Sequence, residues 1–349
     1  MARIRSLEGY QSYLDALKIA ASFAVVLIHV CAACFSVFYL GSKSWILINV
    51  FDSLSRQCVP VFLMVTGALL LSPSKNITVR SIWLGRIPRY ALIYLLWSTF
   101  YALRAVAYDG LQGGAGIAGQ IVIGEYHLWY LLMLIGVLCL LPVLRCIAAN
   151  RRLLVYSCAL CLGLSFFGYA PLLGKLLNFP FEDPATDFHV AFSYAGYCLL
   201  GYLISVAPLD RLRRYLPAAL VLSTLSVALT AVGTWWLSMA AGHDVYDLYD
   251  YLLPNVLVPS FTVFALARLS LRHMRSRSVG LLSMTAKCSL GVYLFHPLLL
   301  FASKEWALGA VRLSAPLALA WAIALWGVSL GAAYFWRTLS NMLKRVVSA

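Results

Sequence analysis

The sequence is poor in charge. Only 11% of its 349 residues are Asp, Glu, Lys or Arg, against roughly 25% in an average soluble domain. A soluble chain of this length needs charged side chains to cover its surface, so the shortage excludes an ordinary water-soluble globule. Acids are scarcer still: 13 Asp and Glu stand against 27 Lys and Arg, a net charge of +14. The surplus does not mark a nucleic-acid groove, because the cations stand in short loops between apolar runs. No stretch shows the ten-residue alternation of a membrane β-barrel, and no internal repeat is visible. The glycines of 110–124 are too irregular for a phosphate-binding fingerprint, and the segment reads as a loop. Metal-type cysteine spacing is also missing. Cys31-x-x-Cys34 and Cys158-x-x-Cys161 have no second ligand pair nearby, and most of the nine cysteines lie inside apolar runs. They read as small residues of lipid-embedded helices, with no disulfide framework and no metal site expected.

What is abundant is apolar sequence, 62% of the chain. Runs of 18 or more apolar residues recur from end to end, the length needed to cross a bilayer as a helix. Spans are expected near 13–39, 46–71, 81–108, 127–147, 153–173, 188–207, 215–240, 248–270, 281–302 and 312–336. Backbone polar groups cannot stay bare in lipid, so these segments must be helices. The first run follows Arg3 and Arg5 as in a secretory leader, but it is too long for one and reads as a retained span. Asn76-Ile77-Thr78 matches a glycosylation acceptor and is discounted, because its loop is assigned to the cytoplasm.

Charge orients the spans. With the N-terminus in the cytoplasm, only Lys43, Arg104, Lys175, Lys304 and Arg312 fall outside, and Arg56 lies within a span. Every other Lys and Arg falls inside, as the positive-inside rule requires. The expected architecture is an all-α polytopic membrane protein with about ten transmembrane helices, N- and C-termini cytoplasmic, forming a single domain over 1–349.

Ionisable groups within such spans cost roughly 3 kcal/mol or more, so each calls for a reason. Lys18 and His29 are eleven positions apart, about three helical turns and about 16 Å along one face. Arg86 and Arg89 lie one turn apart around Pro88, which lacks an N–H and frees the carbonyl of Leu84. A kink there would turn two arginines inward as a fork for phosphate. Asp52 and Arg56 are one turn apart and can pair, and Pro60 frees the carbonyl of Arg56. His296 precedes Pro297, where a kink is expected. Glu125 and His127 stand at an outer boundary, beside Trp129. Each also has a plain structural reading: a snorkelling lysine, anchoring arginines, an internal ion pair, histidines bonded to a neighbouring helix, an aromatic interface anchor. Depth sorts them. Lys18, Arg86 and Arg89 lie towards the cytoplasm and are cationic, whereas His29, Asp52, Arg56 and His296 lie in the outer half.

These blocks resemble the membrane-integral acyltransferase family 3 of bacterial surface-glycan modification. Tyr13-Leu14-Asp15-Ala16-Leu17-Lys18 with His29 is similar to its Arg/Lys-x10-His motif. Arg86-x-x-Arg89 resembles its arginine pair, and Ser55-Arg56 with Val59-Pro60-Val61-Phe62-Leu63-Met64 and Gly67 its second span. Tyr126-His127-Leu128-Trp129-Tyr130 and Ser289-Leu290-Gly291-Val292-Tyr293-Leu294-Phe295-His296 match two further blocks. Within the family the likeness is to the branch that O-acetylates enterobacterial common antigen, whose members are single-domain and lack an attached esterase-like domain. Lys18 replaces the commoner arginine, and an acid at Asp52 departs from the pattern.

The resemblance implies transfer of an acyl group, acetyl first of all, from cytosolic acetyl-CoA to a sugar hydroxyl of a lipid-linked or nascent surface glycan. The bacterial inner membrane is the expected location, and membrane lipids, not nucleic acid, are the expected surroundings. Lys18, Arg86 and Arg89 would hold the CoA phosphates. His29 would act as general base or as nucleophile, and Arg56, with Asp52 beside it, would stabilise the oxyanion. Glu125, His127, Trp129 and His296 would line the acceptor side. A transporter or flippase for an anionic lipid-linked sugar would carry intramembrane charge equally well. It predicts pseudo-symmetry or paired broken helices in two halves, and the sequence shows neither.

Overall fold

The computed structural model describes residues 12–108, 110, 112–169, 172, 174, 186–271 and 276–347. Among them no strand occurs, and helix predominates. Arg3, Arg5, Lys175 and most of the expected outer loop at 174–187 lie outside the described residues. The helices are α1 (Ser12–Phe35), α2 (Lys43–Ser55), α3 (Cys58–Leu70), α4 (Ile87–Tyr108), α5 (Gly114–Ile123), α6 (Trp129–Ala149) and α7 (Arg151–Leu164). They continue as α8 (Thr186–Val206), α9 (Leu209–Ala241), α10 (Pro254–Ser270), α11 (Ser276–Ala286), α12 (Ser289–Leu313) and α13 (Leu317–Val347).

Seven of the described helical segments are long and apolar enough to cross a membrane: Ser12–Phe35, Lys43–Leu70, Val79–Tyr108, Gly114–Ala149, Leu209–Ala241, Asp247–Ser270 and Leu317–Met342. An eighth is the bent pair Val279–Ala286 and Ser289–Leu313, which turns by 54°. The expected spans at 153–173 and 188–207 correspond to the shorter α7 and to α8, of which Tyr194–Val206 counts as a short apolar helix. The number of crossings beyond these, and the side on which the ends lie, rest on the charge distribution alone. The glycine-rich stretch read as a loop is helical over α5. Its Ile117, Ile121, Val122 and Ile123 are apolar, and glycine is more frequent in lipid-embedded helices than in soluble ones.

Compact packing divides the chain into two units, Met1–Ala68 with Cys158–Ala349, and Leu69–Ser157. The hub of the first is α1, which packs against α2, α10, α11, α12 and α13. Its sequence is apolar nearly all round, and a helix of that kind is stable only when surrounded. Val26, Leu27, Val30, Cys31, Cys34 and Phe35 form one core with Trp45 and Ile48 of α2, Val292 and Leu300 of α12, and Ala318 and Ala322 of α13. Helices α3 and α8 cross at backbone contact. A Cβ on Gly67 would run into the carbonyl oxygen of Cys198, and one on Gly201 into that of Met64. Small residues at crossings are how helices in lipid approach closely enough to gain dispersion energy.

Helix α9 shows what surrounds this unit. It turns Leu220, Val221, Leu222, Leu225, Leu229 and Val232 outwards and buries Ala219, Thr230, Thr234 and Ser238. In water that arrangement would be inside out. In a bilayer it is the favourable one, because lipid solvates the leucines, while the hydroxyls of Thr230 and Ser238 find partners within the protein.

In the second unit α4 packs on α5 and α6. The backbone ahead of Pro88 does not simply kink. Residues Ile82–Arg86 form a π-helical turn, with Ile87 N–H donating to Ile82 O. The wider turn accommodates the carbonyl that Pro88 leaves without a donor. In the first unit Pro60 acts similarly: α2 ends at Ser55, Arg56 caps it, and α3 restarts at Cys58. Helix α12 runs unbroken through Pro297, and the 54° bend lies at Lys287-Cys288, between α11 and α12.

Candidate functional site

In the first unit His29 is half-buried on α1. Its ring stacks on that of His296, with centroids 5.1 Å apart and planes 28° from parallel. His296 is fully buried on α12, and its Nδ1 lies 3.1 Å from the carbonyl oxygen of Val292. A carbonyl only accepts, so this bond puts the proton on Nδ1 and leaves Nε2 as the lone-pair nitrogen. His296 was expected to line the acceptor side. It is completely buried and stacks on His29.

Lys18, on the same helix as His29, is not a bare cation. Its Nζ lies 2.8 Å from Asp15 Oδ1, so an incoming anion must compete with a carboxylate.

Arg56 and Asp52 pair as their spacing suggests. Arg56 Nε donates to Asp52 Oδ1 at 2.5 Å, and a terminal guanidinium nitrogen lies 2.5 Å from the same oxygen. Asp52 is 1% exposed, whereas the Arg56 side chain keeps 16%. The guanidinium also lies over the Tyr249 ring, 4.1 Å from its centroid, and 6.0 Å from that of Tyr251. Such cation–π contacts are worth about 0.5–2 kcal/mol, and the flat guanidinium can also stack on the ring. Tyr249 is held in turn: its Oη donates to Asn49 Oδ1 at 2.6 Å, and Asn49 Nδ2 donates to Ala231 O at 2.8 Å. Arg56 has five N–H donors, and among the described residues its only hydrogen-bond partner is Asp52. A fixed guanidinium with donors left over can receive a developing oxyanion.

Tyr249, Tyr251 and Asn49 were not singled out from the sequence. The run Tyr246-Asp247-Leu248-Tyr249-Asp250-Tyr251 alternates aromatic and acid, and it reads as the outer edge of a span. Only its return to α2 makes it a platform for Arg56. Next to it, Trp45 Nε1 donates to Asp244 Oδ1 at 2.8 Å, and Phe35 packs on both Trp45 and Tyr246 at 5.4 and 5.7 Å. Tyr246 lies in the connection after α9. Burial first, then the Asp244 carboxylate, push its phenol up to about 12.

In the second unit the arginine pair is split in environment. Arg86 ends the π turn, half-buried, and donates to Ser81 Oγ at 3.3 Å. Arg89 is exposed. Neither pairs with a carboxylate among the described residues. Glu125 makes an ion pair with Arg104 at 3.8 Å. His127 is 1% exposed, with its ring edge-on to Tyr101 at 4.9 Å and 75°. Trp129 is exposed and lies edge-on to Tyr130 at 6.4 Å. The block that opens α6 therefore exposes Trp129, keeps Glu125 largely covered against Arg104, and keeps His127 inside. Gly124, at φ 78°, makes the sharp entry possible, since that backbone conformation disfavours any side chain.

Among the described residues, no group of three or more His, Cys, Asp or Glu is placed to hold a metal ion. The acyltransferase domain of acyltransferase family 3 matches residues 11–337 of the chain. No curated protein and no solved structure gives a match.

Proposed function

Because the chain belongs to acyltransferase family 3, whose domain covers nearly all of it, we propose that it transfers an acetyl group from cytosolic acetyl-CoA to a sugar hydroxyl. The acceptor is a lipid-linked or nascent cell-surface glycan, of the enterobacterial-common-antigen type in the first instance. The location is a bacterial inner membrane, with about ten crossings and both ends in the cytoplasm. The observations that carry the reading are a half-buried His29 on α1 and, capping the α2 helix that packs on α1, an Arg56 that keeps donors to spare.

The chemistry follows from those two groups. As general base, His29 takes the proton of the acceptor hydroxyl as its oxygen attacks the thioester carbonyl. The carbonyl oxygen becomes an oxyanion and is met by the Arg56 N–H groups, which Asp52 and Tyr249 hold in place. Collapse breaks the carbon–sulfur bond, and the leaving CoA thiolate recovers the proton from His29. In the covalent variant His29 attacks first and holds the acetyl group until the hydroxyl takes it. His296 is a positioning residue for His29 in either route.

Arg86 and Arg89 carry the main weight of holding the CoA phosphates, because neither is neutralised. Lys18 contributes once Asp15 yields it. Glu125 and Trp129 offer a carboxylate and an aromatic face to the sugar, with His127 buttressing them from inside. Glycan mass spectrometry on cells with and without the protein tests the whole reading. The expected difference is one acetyl group per modified sugar, and identical glycans in both strains would overturn it.

A further inference from the structure

A cluster of charge in the second unit joins Arg86 to two cations, Lys75 and Arg145, that have no part in the scheme above. Helix α3 ends at Leu70, and the chain turns through Leu71-Ser72-Pro73-Ser74-Lys75 before the turn at Val79. Arg145, near the end of α6, staples this loop. One terminal nitrogen donates to Leu70 O at 2.6 Å and Ser72 O at 2.9 Å, and the other to Lys75 O at 2.5 Å. Lys75 Nζ bends back to Leu69 O. The π turn that carries Arg86 packs on α6, the helix of Arg145. Backbone carbonyls hold Arg145 and Lys75 together, and the packing of the π turn on α6 brings Arg86 into the same neighbourhood. Among the described residues, none of them makes an ion pair with a carboxylate. Partial desolvation, with the charges of Arg145 and Arg86 behind it, lowers the Lys75 ammonium below the usual lysine range. A bound anion would relieve that repulsion.

We propose that Lys75 and Arg86, on a loop fixed by Arg145, form the seat for the 3′-phosphate of coenzyme A. The inference rests on the acetyl-CoA reading and adds the phosphate recognised. A phosphate monoester carries about −1.5 to −2 at neutral pH, whereas each phosphate of a pyrophosphate diester carries a single charge. A cluster of this density matches the monoester better. Arg145 has its donors committed to three carbonyls, so it is a positioning residue that adds charge, and Lys75 and Arg86 make the contacts.

The test compares CoA with 3′-dephospho-CoA on the purified full chain in nanodiscs. Wild type should bind CoA about tenfold or more tightly over the dephospho form, the loss expected for one charge-assisted contact. Lys75→Ala should weaken CoA alone and bring the two affinities together, and Lys75→Arg should restore the difference. Arg145→Lys keeps the charge but cannot bridge three carbonyls, so it should also narrow the difference. An unchanged ratio in a folded Lys75→Ala protein would overturn the seat. So would a ratio that shifts only with anionic lipid in the disc, which would assign Lys75 to headgroups. Failure of wild type to bind either nucleotide would instead strike the acetyl-CoA reading itself.

Discussion

His29 of α1 and His296 of α12 stack with centroids 5.1 Å apart, although nearly the whole chain separates them in sequence. The contact ties the reacting group to a fully buried neighbour whose own Nδ1 faces a backbone carbonyl. It gives the first motif block and the last one a shared purpose.

His29→Ala should abolish transfer and leave CoA affinity near wild type. Loss of general-base help costs about 10²–10⁴-fold in rate, and loss of an obligatory covalent carrier costs more. Rapid quenching with labelled acetyl-CoA and no acceptor separates the routes, since label on the protein identifies the nucleophile. Wild-type transfer by His29→Ala would make His29 a structural histidine.

Asp52→Ala should be more damaging than Asp52→Asn. Both remove the counter-charge of a largely buried Arg56, at about 3–5 kcal/mol, but the amide still accepts a hydrogen bond. Thermal unfolding in detergent reads the difference. Arg56→Lys should leave the fold in place and lower kcat, because an ammonium supplies fewer fixed donors and stacks poorly on Tyr249. Wild-type stability of both Asp52 variants would show that the pair does not hold Arg56.

Gly67→Leu and Gly201→Leu should each fail to give folded protein, and Ala at either site should already destabilise. The added atoms meet backbone, not flexible side chains, and overpacking of this kind costs about 1–3 kcal/mol or more. Size-exclusion profiles and melting temperatures check this. Wild-type behaviour of Gly67→Leu would mean that α3 and α8 do not cross as described.

Reporter fusions should place the loop at 71–78 in the cytoplasm and the connection at 241–246 outside. Two reversed signals would overturn the orientation read from the cations.

The sequence by itself determined the helices, their lipid setting and the local pairs. Hydropathy, charge placement and i,i+4 spacing are one-dimensional quantities, and lipid leaves a backbone little choice but the helix. That is why α1, the Asp52–Arg56 pair and a disturbed backbone around Pro60 and Pro88 were all legible. Glycine content misled at 114–123, where an apolar setting outweighed loop propensity. Tertiary structure decided everything that depends on which helices meet. The aromatic run at 246–251 became the platform for Arg56 only by packing against α2. His296 moved from the acceptor wall to the side of His29, and Arg145 was recruited to a loop it does not adjoin in sequence. Each of these contacts is set by packing, and packing between helices in a membrane turns on small residues such as Gly67 and Gly201 that carry no chemical signal of their own.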